Sequence, residues 1–308
     1  MAGTVLDAIG NTPVAELRKV APPRCARLVA KLEWGNPTGS MKDRMARAAI
    51  EAAERDGRLS PGGTVVEATM GTTGISLALV CAAKGYGLHI VFSDAFSDEK
   101  RRTMQAFGAT VEDVPSDEGR ITESLVKAML ARAHELAASP THWWCDQLHN
   151  RDAINGYRAM GEEIWTQTDG RVDAFVHSVS TGHSILGVAR ALREHKPGLH
   201  VAAVEPAESA VLSGGPSGSH KIEGIGIGFV PPLWEPDQVD EIIAVTTQDA
   251  KAMTRRLALE EGLLAGASSG ANVVAAIRLG QRLGPGATVA TILVDSGLRY
   301  LSTDVFRT

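Results

Sequence analysis

The sequence predicts an α/β protein made of two open, twisted domains with mostly parallel sheets. Short apolar runs alternate with helix-length stretches along most of the chain. The turns that follow several of these runs are rich in Gly, Ser and Thr, and the pattern changes character near residues 145–160. Strands separated by helices of this length pair in parallel through right-handed crossovers. A chain of 308 residues has room for one large or two medium domains and a substantial core.

Taken in order, Thr64-Val-Val-Glu reads as a strand, followed by the small-residue turn Ala68–Gly74 and a helix over Ile75–Ala83. Leu88–Phe92 is the next strand; Asp98–Phe107 is a helix stopped by Gly108; Thr110–Val114 is a further strand. A helix over Ile121–Ala138 leads to the strand-like His142–Cys145. The alternation resumes with a strand at Val172–His177, a small-residue loop and a helix over Ile185–His195. Val201–Glu205 is a strand, Ala250–Glu261 and Ala271–Leu283 are helices, and Thr288–Val294 is a late strand. In open α/β sheets ligands bind beyond the carboxyl ends of the strands, which is where the Gly/Ser/Thr loops fall.

Composition excludes several classes. A net charge of -5, without an acidic or basic tail, argues against general nucleic-acid binding. The segment beginning Met1-Ala-Gly-Thr lacks the basic and apolar regions of a secretory signal. No apolar run approaches the roughly 18–20 residues of a membrane helix, so the protein is expected to be cytoplasmic. Cys25, Cys81 and Cys145 are odd in number and far apart, which suits a reducing compartment; Cys81 lies in an apolar run and reads as a buried thiol. The nine histidines form no ligand spacing, and no metal is expected.

Three segments have the makings of chemistry. In Asn36-Pro-Thr-Gly-Ser-Met-Lys-Asp-Arg44, Pro37 and Gly39 make a turn and Ser40 is placed to cap a helix beginning near Met41. Lys42 then lies in the first helical turn, where the helix dipole disfavours the ammonium form and favours an amine able to form a Schiff base. Thr69-Met-Gly-Thr-Thr-Gly74 and Ser178-Val-Ser-Thr-Gly-His-Ser-Ile-Leu-Gly187 each join a strand to a helix, and their amides and hydroxyls suit a carboxylate or phosphate. Any tight strand-to-helix turn also favours small residues, so neither loop is diagnostic alone.

Two other patterns fail on their context. Gly266-Ala-Ser-Ser-Gly270 fits a hydrolase nucleophile elbow, but that order needs a histidine downstream and the last one, His220, lies upstream of Ser268. Asp94 stands about twenty residues after the Gly71 loop, as a ribose-binding acid would. Its loop lacks the Gly-x-Gly-x-x-Gly spacing, however, and Gly224-Ile-Gly-Ile-Gly228 runs into Phe-Val-Pro-Pro, which leaves a nicotinamide oxidoreductase a poor alternative.

In order, the chain resembles the cysteine synthase and cystathionine β-synthase family of fold-type-II pyridoxal-phosphate enzymes. The similarity runs from Ile9-Gly-Asn-Thr-Pro13 through Asn36–Arg44, Ala82-Ala-Lys-Gly-Tyr86, Val204–Gly215 and His220–Gly226 to Glu261–Gly270 and Asp295–Thr303. The resemblance implies a tryptophan-synthase-β-like fold, with residues 36–146 as a smaller domain and residues 1–35 with 147–308 as a larger, cofactor-binding one. It implies pyridoxal 5'-phosphate held through a Schiff base at Lys42, the catalytic residue and base for the substrate's α-proton. The cofactor phosphate is expected on Ser180, Thr181, Gly182, His183 and Ser184, and the pyridine nitrogen on Ser296. A serine there stabilises a pyridinium less than an aspartate would, which favours loss of a β-substituent. Thr69, Met70, Thr72, Thr73 and Gln147 are the expected contacts to substrate carboxylate and cofactor oxygen, with Gly226 bordering the substrate.

The implied reaction is β-replacement on O-acetylserine or O-phosphoserine with a sulfur nucleophile, in a homodimer acting on a small amino acid. The family usually has Ser-Gly-Asn-Thr-Gly where this chain has Met70-Gly-Thr-Thr-Gly74, and a glycine where His183 stands. Those departures leave room for another donor or nucleophile, with His149, Arg151 and His183 as candidates for recognising an anionic donor. β-Elimination to pyruvate, and a non-catalytic relative that binds an acetyltransferase tail, are the other classes.

Overall fold

A computed structural model describes residues 3–120 and 122–307. The strands in chain order are β1 (Val14–Leu17), β2 (Arg27–Leu32), β3 (Thr64–Ala68), β4 (Gly87–Phe92), β5 (Thr110–Asp113), β6 (His142–Trp144), β7 (Ala174–Ser178), β8 (His200–Pro206), β9 (Glu241–Val245) and β10 (Thr288–Leu293). The helices are α1 (Lys42–Arg55), α2 (Thr72–Lys84), α3 (Asp98–Ala106), α4 (Glu123–Leu136), α5 (Asp152–Gln167), α6 (His183–His195), α7 (Thr247–Arg256) and α8 (Ala267–Leu283). None of the helices among the described residues is long and apolar enough to cross a membrane.

The chain divides into two compact units, one of Met1–Ile9 with Lys42–Gly156 and the other of Gly10–Met41 with Tyr157–Thr308. The first holds a four-stranded, wholly parallel sheet in the order β5-β4-β3-β6. Val66, Ala68 and Val91 on its strands pack with Leu125, Met129 and Ala133 of α4. α2 is buried from Thr73 to Cys81 and stops at Gly85, whose left-handed conformation (φ 79°) closes the helix with a hydrogen bond to Cys81 O. α4 is started by Thr122, whose hydroxyl accepts the Leu125 N–H at 3.2 Å. The expected start at Ile121 lies outside the described residues.

The second unit holds a six-stranded sheet in the order β1-β2-β10-β7-β8-β9, parallel except for the β1–β2 pair. α8 lies across β10 and β7, and its Ala271, Val273, Ala275, Ala276 and Leu279 join Leu28, Ala174, Val176, Val204 and Val289 in one core. Strands with small and β-branched residues on both faces suit a sheet covered on both sides.

The α/β class and the parallel pairing agree with the sequence reading, and most elements fall within a few residues of their expected bounds. Three of the differences, all at helix starts, share a cause. α2 begins at Thr72 instead of Ile75, α6 at His183 instead of Ile185, and α8 at Ala267 instead of Ala271. In each case polar or small residues read as loop begin the first helical turn, where backbone N–H groups have no partner inside the helix. The stretch expected as one helix at Ala250–Glu261 is α7 followed by a π-helical turn, Leu257–Glu261, closed by Gly262 in the left-handed region. β2 has no counterpart in the apolar-run reading because Arg27 and Lys31 interrupt it; Lys31 is nonetheless fully buried, its ammonium 2.6 Å from the Glu163 carboxylate.

Candidate active site

In the first unit the expected substrate-binding residues cluster at the carboxyl end of β3. Thr69 follows the strand directly, and its hydroxyl accepts the Gly71 N–H at 3.0 Å, which shapes the turn. Gly71 has φ 131°, and a Cβ there would run into the aliphatic stem of Lys100. Glycine is therefore required at this position on both counts. Met70 is 39% exposed and Thr72 half-buried at the start of α2. The Thr73 hydroxyl donates to Gln147 Oε1 at 2.8 Å, and Gln147 Nε2 donates to the Ala68 carbonyl at 3.1 Å. Thr69, Thr73 and Gln147 are thus brought together, with Met70 and Thr72 in the same turn.

Glu67, the last but one residue of β3, was not anticipated. It is buried at 1% exposure, and its two carboxylate oxygens accept the backbone N–H of Ala68 at 2.9 Å and of Gln147 at 3.0 Å. Burial pushes its acid up to about 8, against the opposing pull of those two N–H groups. Lys42 is the first residue of α1, one position later than expected. Its neighbour Asp43 is buried and accepts the Ser76 hydroxyl at 2.6 Å, tying the first turn of α1 to α2.

In the second unit, Ser40 lies just ahead of α1 and is buried. It lies in an isolated antiparallel bridge with Asp295, flanked by Met41 N–H to Val294 O at 3.0 Å and Ser296 N–H to Gly39 O at 3.0 Å. Ser296 is half-buried, and its hydroxyl accepts the Leu298 N–H at 3.3 Å. β10 ends at Leu293, so alternation along the strand does not set the direction of Asp295; the Tyr300 hydroxyl donates to its Oδ2 at 2.7 Å.

The loop Ser180–Ser184 follows β7 and opens α6. Gly182 occupies the N-cap with φ 94° and has no side chain with which to cap the first turn. The Thr181 hydroxyl and His183 Nδ1 are 2.8 Å apart and both buried, so the His183 ring turns onto its own loop. Gly226 (φ 60°) donates to the Val179 carbonyl at 3.1 Å and accepts His220 Nε2 at 2.8 Å. A Cβ at Gly226 would lie 2.6 Å from Pro206.

The residues of this loop fit a phosphate ester. The uncapped first turn of α6 offers N–H groups to an anion. The Ser178 hydroxyl, one residue past His177, is buried with no hydrogen-bond partner among the described residues. A buried hydroxyl left without a partner is uncommon, and this one lies at the end of β7, two residues before the loop.

Other sequence candidates find structural duties. Asp94 accepts the Ser116 N–H at 2.8 Å and ties the segment after β4 to the segment after β5. His149 Nδ1 stands 2.9 Å from the Asp146 carboxylate, and Arg151 is exposed. Ser268 is buried in the first turn of α8.

The chain belongs to the pyridoxal-phosphate dependent enzyme family, whose model matches residues 5–295. It is 41% identical over 304 residues to a cysteine synthase of Staphylococcus aureus, a match covering 98% of this chain and 96% of that protein. The structure of the Entamoeba histolytica cysteine synthase is similar with a TM-score of 0.95 at 36% identity, covering 100% of this chain and 91% of that one. An O-ureido-L-serine synthase structure is similar with a TM-score of 0.93 at 35% identity, covering 99% and 95%. The fold is therefore the fold-type-II form that the sequence resemblance implies, and the enzyme depends on pyridoxal phosphate.

Proposed function

We propose that this enzyme of the cysteine synthase type catalyses β-replacement on an O-activated L-serine, O-acetylserine or O-phosphoserine, with a sulfur nucleophile. The whole-length similarity to cysteine synthases carries this reading, and the hydroxyl-rich, uncapped turn opening α6 supports the cofactor's place. When bound, pyridoxal phosphate supplies a carbonyl that condenses with amines and a ring that spreads the charge left at the substrate's Cα.

The chain's own residues do the rest. Lys42 Nζ would hold the cofactor covalently and would serve as the base for the substrate's Cα proton. Ser180, Thr181, Gly182, His183 and Ser184 bind the phosphate. Ser296 meets the pyridine nitrogen as a neutral partner. Thr69, the Met70 backbone, Thr72, Thr73 and Gln147 hold the substrate carboxylate and the cofactor's ring oxygen, and Gly226 leaves room beside the substrate. The resemblance supports a homodimer, and the lack of a recognisable secretory signal supports a cytoplasmic location.

Mixing the purified, cofactor-loaded protein with O-acetylserine, O-phosphoserine and serine in turn tests the reading. A donor that shifts the visible absorbance, with reversal on adding sulfide, supports it; no shift with any donor refutes it. The exposed Met70 thioether, where relatives carry a serine, favours a second reading in which donor or nucleophile differs from that of a housekeeping cysteine synthase. Pyruvate release that sulfide or thiosulfate does not suppress would identify β-elimination instead.

A further inference from the structure

Behind the loop that opens α6, three buried polar side chains form a chain with a fixed direction. Asn272 of α8 is fully buried; its Oδ1 accepts the Ser178 N–H at 2.8 Å, and its Nδ2 donates to the Ile292 carbonyl at 2.8 Å. A backbone N–H can only donate and a carbonyl only accept, so these two groups set which end of the amide is which. The amide's second proton is then available to His177 Nδ1, 3.2 Å away, and that nitrogen must accept. His177 is fully buried, with its ring against Phe175, two residues back on the same face of β7. Its proton therefore sits on Nε2, 2.8 Å from Ser184 Oγ, where it donates. A hydroxyl has a single proton; Ser184 accepts from His177, so its own proton is directed to an acceptor elsewhere.

We propose that His177, locked by Asn272, is a positioning residue that turns the Ser184 hydroxyl into a dedicated donor to the cofactor's phosphate. This rests on the reading of Ser180–Ser184 as the phosphate loop. A hydroxyl without such an imposed direction would split its proton among several acceptors; one held from behind meets an anion with no reorganisation. Neither the loop's composition nor the strand pattern assigns His177 any part in the site.

The test uses His177→Ala, Ser184→Ala, the double variant and His177→Gln. Three quantities are measured: the pyridoxal phosphate dissociation constant on reloading stripped protein, the phosphorus NMR signal of the loaded protein, and thermal unfolding of the stripped protein. Each single alanine variant weakens cofactor binding roughly tenfold and moves the phosphorus signal, while the double variant is no weaker than either single one. His177→Gln, which keeps an N–H able to donate to Ser184, stays within about threefold of the parent.

A His177→Ala protein that unfolds earlier but binds the cofactor as tightly as the parent overturns the proposal. Losses that multiply in the double variant do so as well. If His177→Ala does not fold, His177→Gln decides: a folded protein with tenfold weaker binding refutes the donor role. Unchanged affinity in Ser184→Ala sinks the phosphate-loop reading itself, whatever His177 does.

Discussion

The Thr73 hydroxyl donates to Gln147 Oε1 across 2.8 Å, joining the first turn of α2 to the segment that follows β6. The same glutamine donates back to the carboxyl end of β3 through the Ala68 carbonyl. One side chain thus fixes the spacing of the two segments proposed to grip the substrate carboxylate. Thr73→Val removes the donor while keeping the shape, and is expected to raise KM for the amino-acid donor about tenfold with kcat changed less than about threefold. Steady-state kinetics with the active donor checks this; a fall in kcat alone would assign Thr73 to the chemical step.

Lys42→Ala is expected to cut turnover about a thousandfold, as loss of a general base does. The stronger check is covalent. Borohydride reduction of the parent should leave a phosphopyridoxyl mark on the peptide carrying Lys42, and the variant should carry none.

Glu67 gives the fold a pH dependence of determinate sign. Its acid is pushed up to about 8 by burial and returns to the ordinary carboxylate range, near 4.5, on unfolding. Between these values the native protein holds a proton that the unfolded chain has released, so this group's contribution to stability declines as pH rises from about 4.5 to about 8. Glu67→Gln should flatten that decline in urea unfolding curves. Its amide nitrogen cannot accept an N–H as the second oxygen does, so the variant should also lose about 1–2 kcal/mol at low pH.

Lys31 is buried against Glu163 and also donates to the Gln167 side chain at 2.8 Å. Lys31→Met leaves the carboxylate without its counter-ion and should cost about 3 kcal/mol. The expected readout is a lower urea midpoint with an unchanged slope, since the surface exposed on unfolding stays the same.

Restoring the residue types usual in the family, with Met70→Ser and Thr72→Asn together, is expected to change the ratio of kcat/KM for O-acetylserine and O-phosphoserine by about tenfold or more. An unchanged ratio would mean that this turn does not select the donor.

Much of the fold was legible because the apolar runs become the strands of parallel sheets, buried on both faces. The site loops were legible as composition, but their conformation was not: hydroxyl and glycine residues suit both a loop and an uncapped first helical turn, and only tertiary structure decides between them. Lys42 was singled out by the family resemblance, since a place near a helix start is by itself a weak signal. The sequence does not reveal that residues 39–41 run beside residues 294–296, 255 positions away at the Ser40–Asp295 bridge. His177, Asn272 and Glu67 were invisible for a related reason. Each is a polar residue whose meaning depends on partners up to 95 residues distant, as in the Asn272–His177 contact.

The three cysteines have a consequence for a protein that handles sulfur. All are buried and unpaired with one another; burial pushes Cys81 up to about 12 and raises Cys145 well above the ordinary thiol range and Cys25 in the same direction. Only a thiolate attacks electrophiles or exchanges with disulfides at useful speed. A catalyst whose proposed work pairs an activated serine with a sulfur nucleophile therefore keeps its own sulfur chemically silent. A thiol held protonated in this way is a poor competitor for the incoming nucleophile and a slow partner in mixed disulfides. Native protein should accordingly show no rapidly titrating thiol toward a chromogenic disulfide, and all three on denaturation.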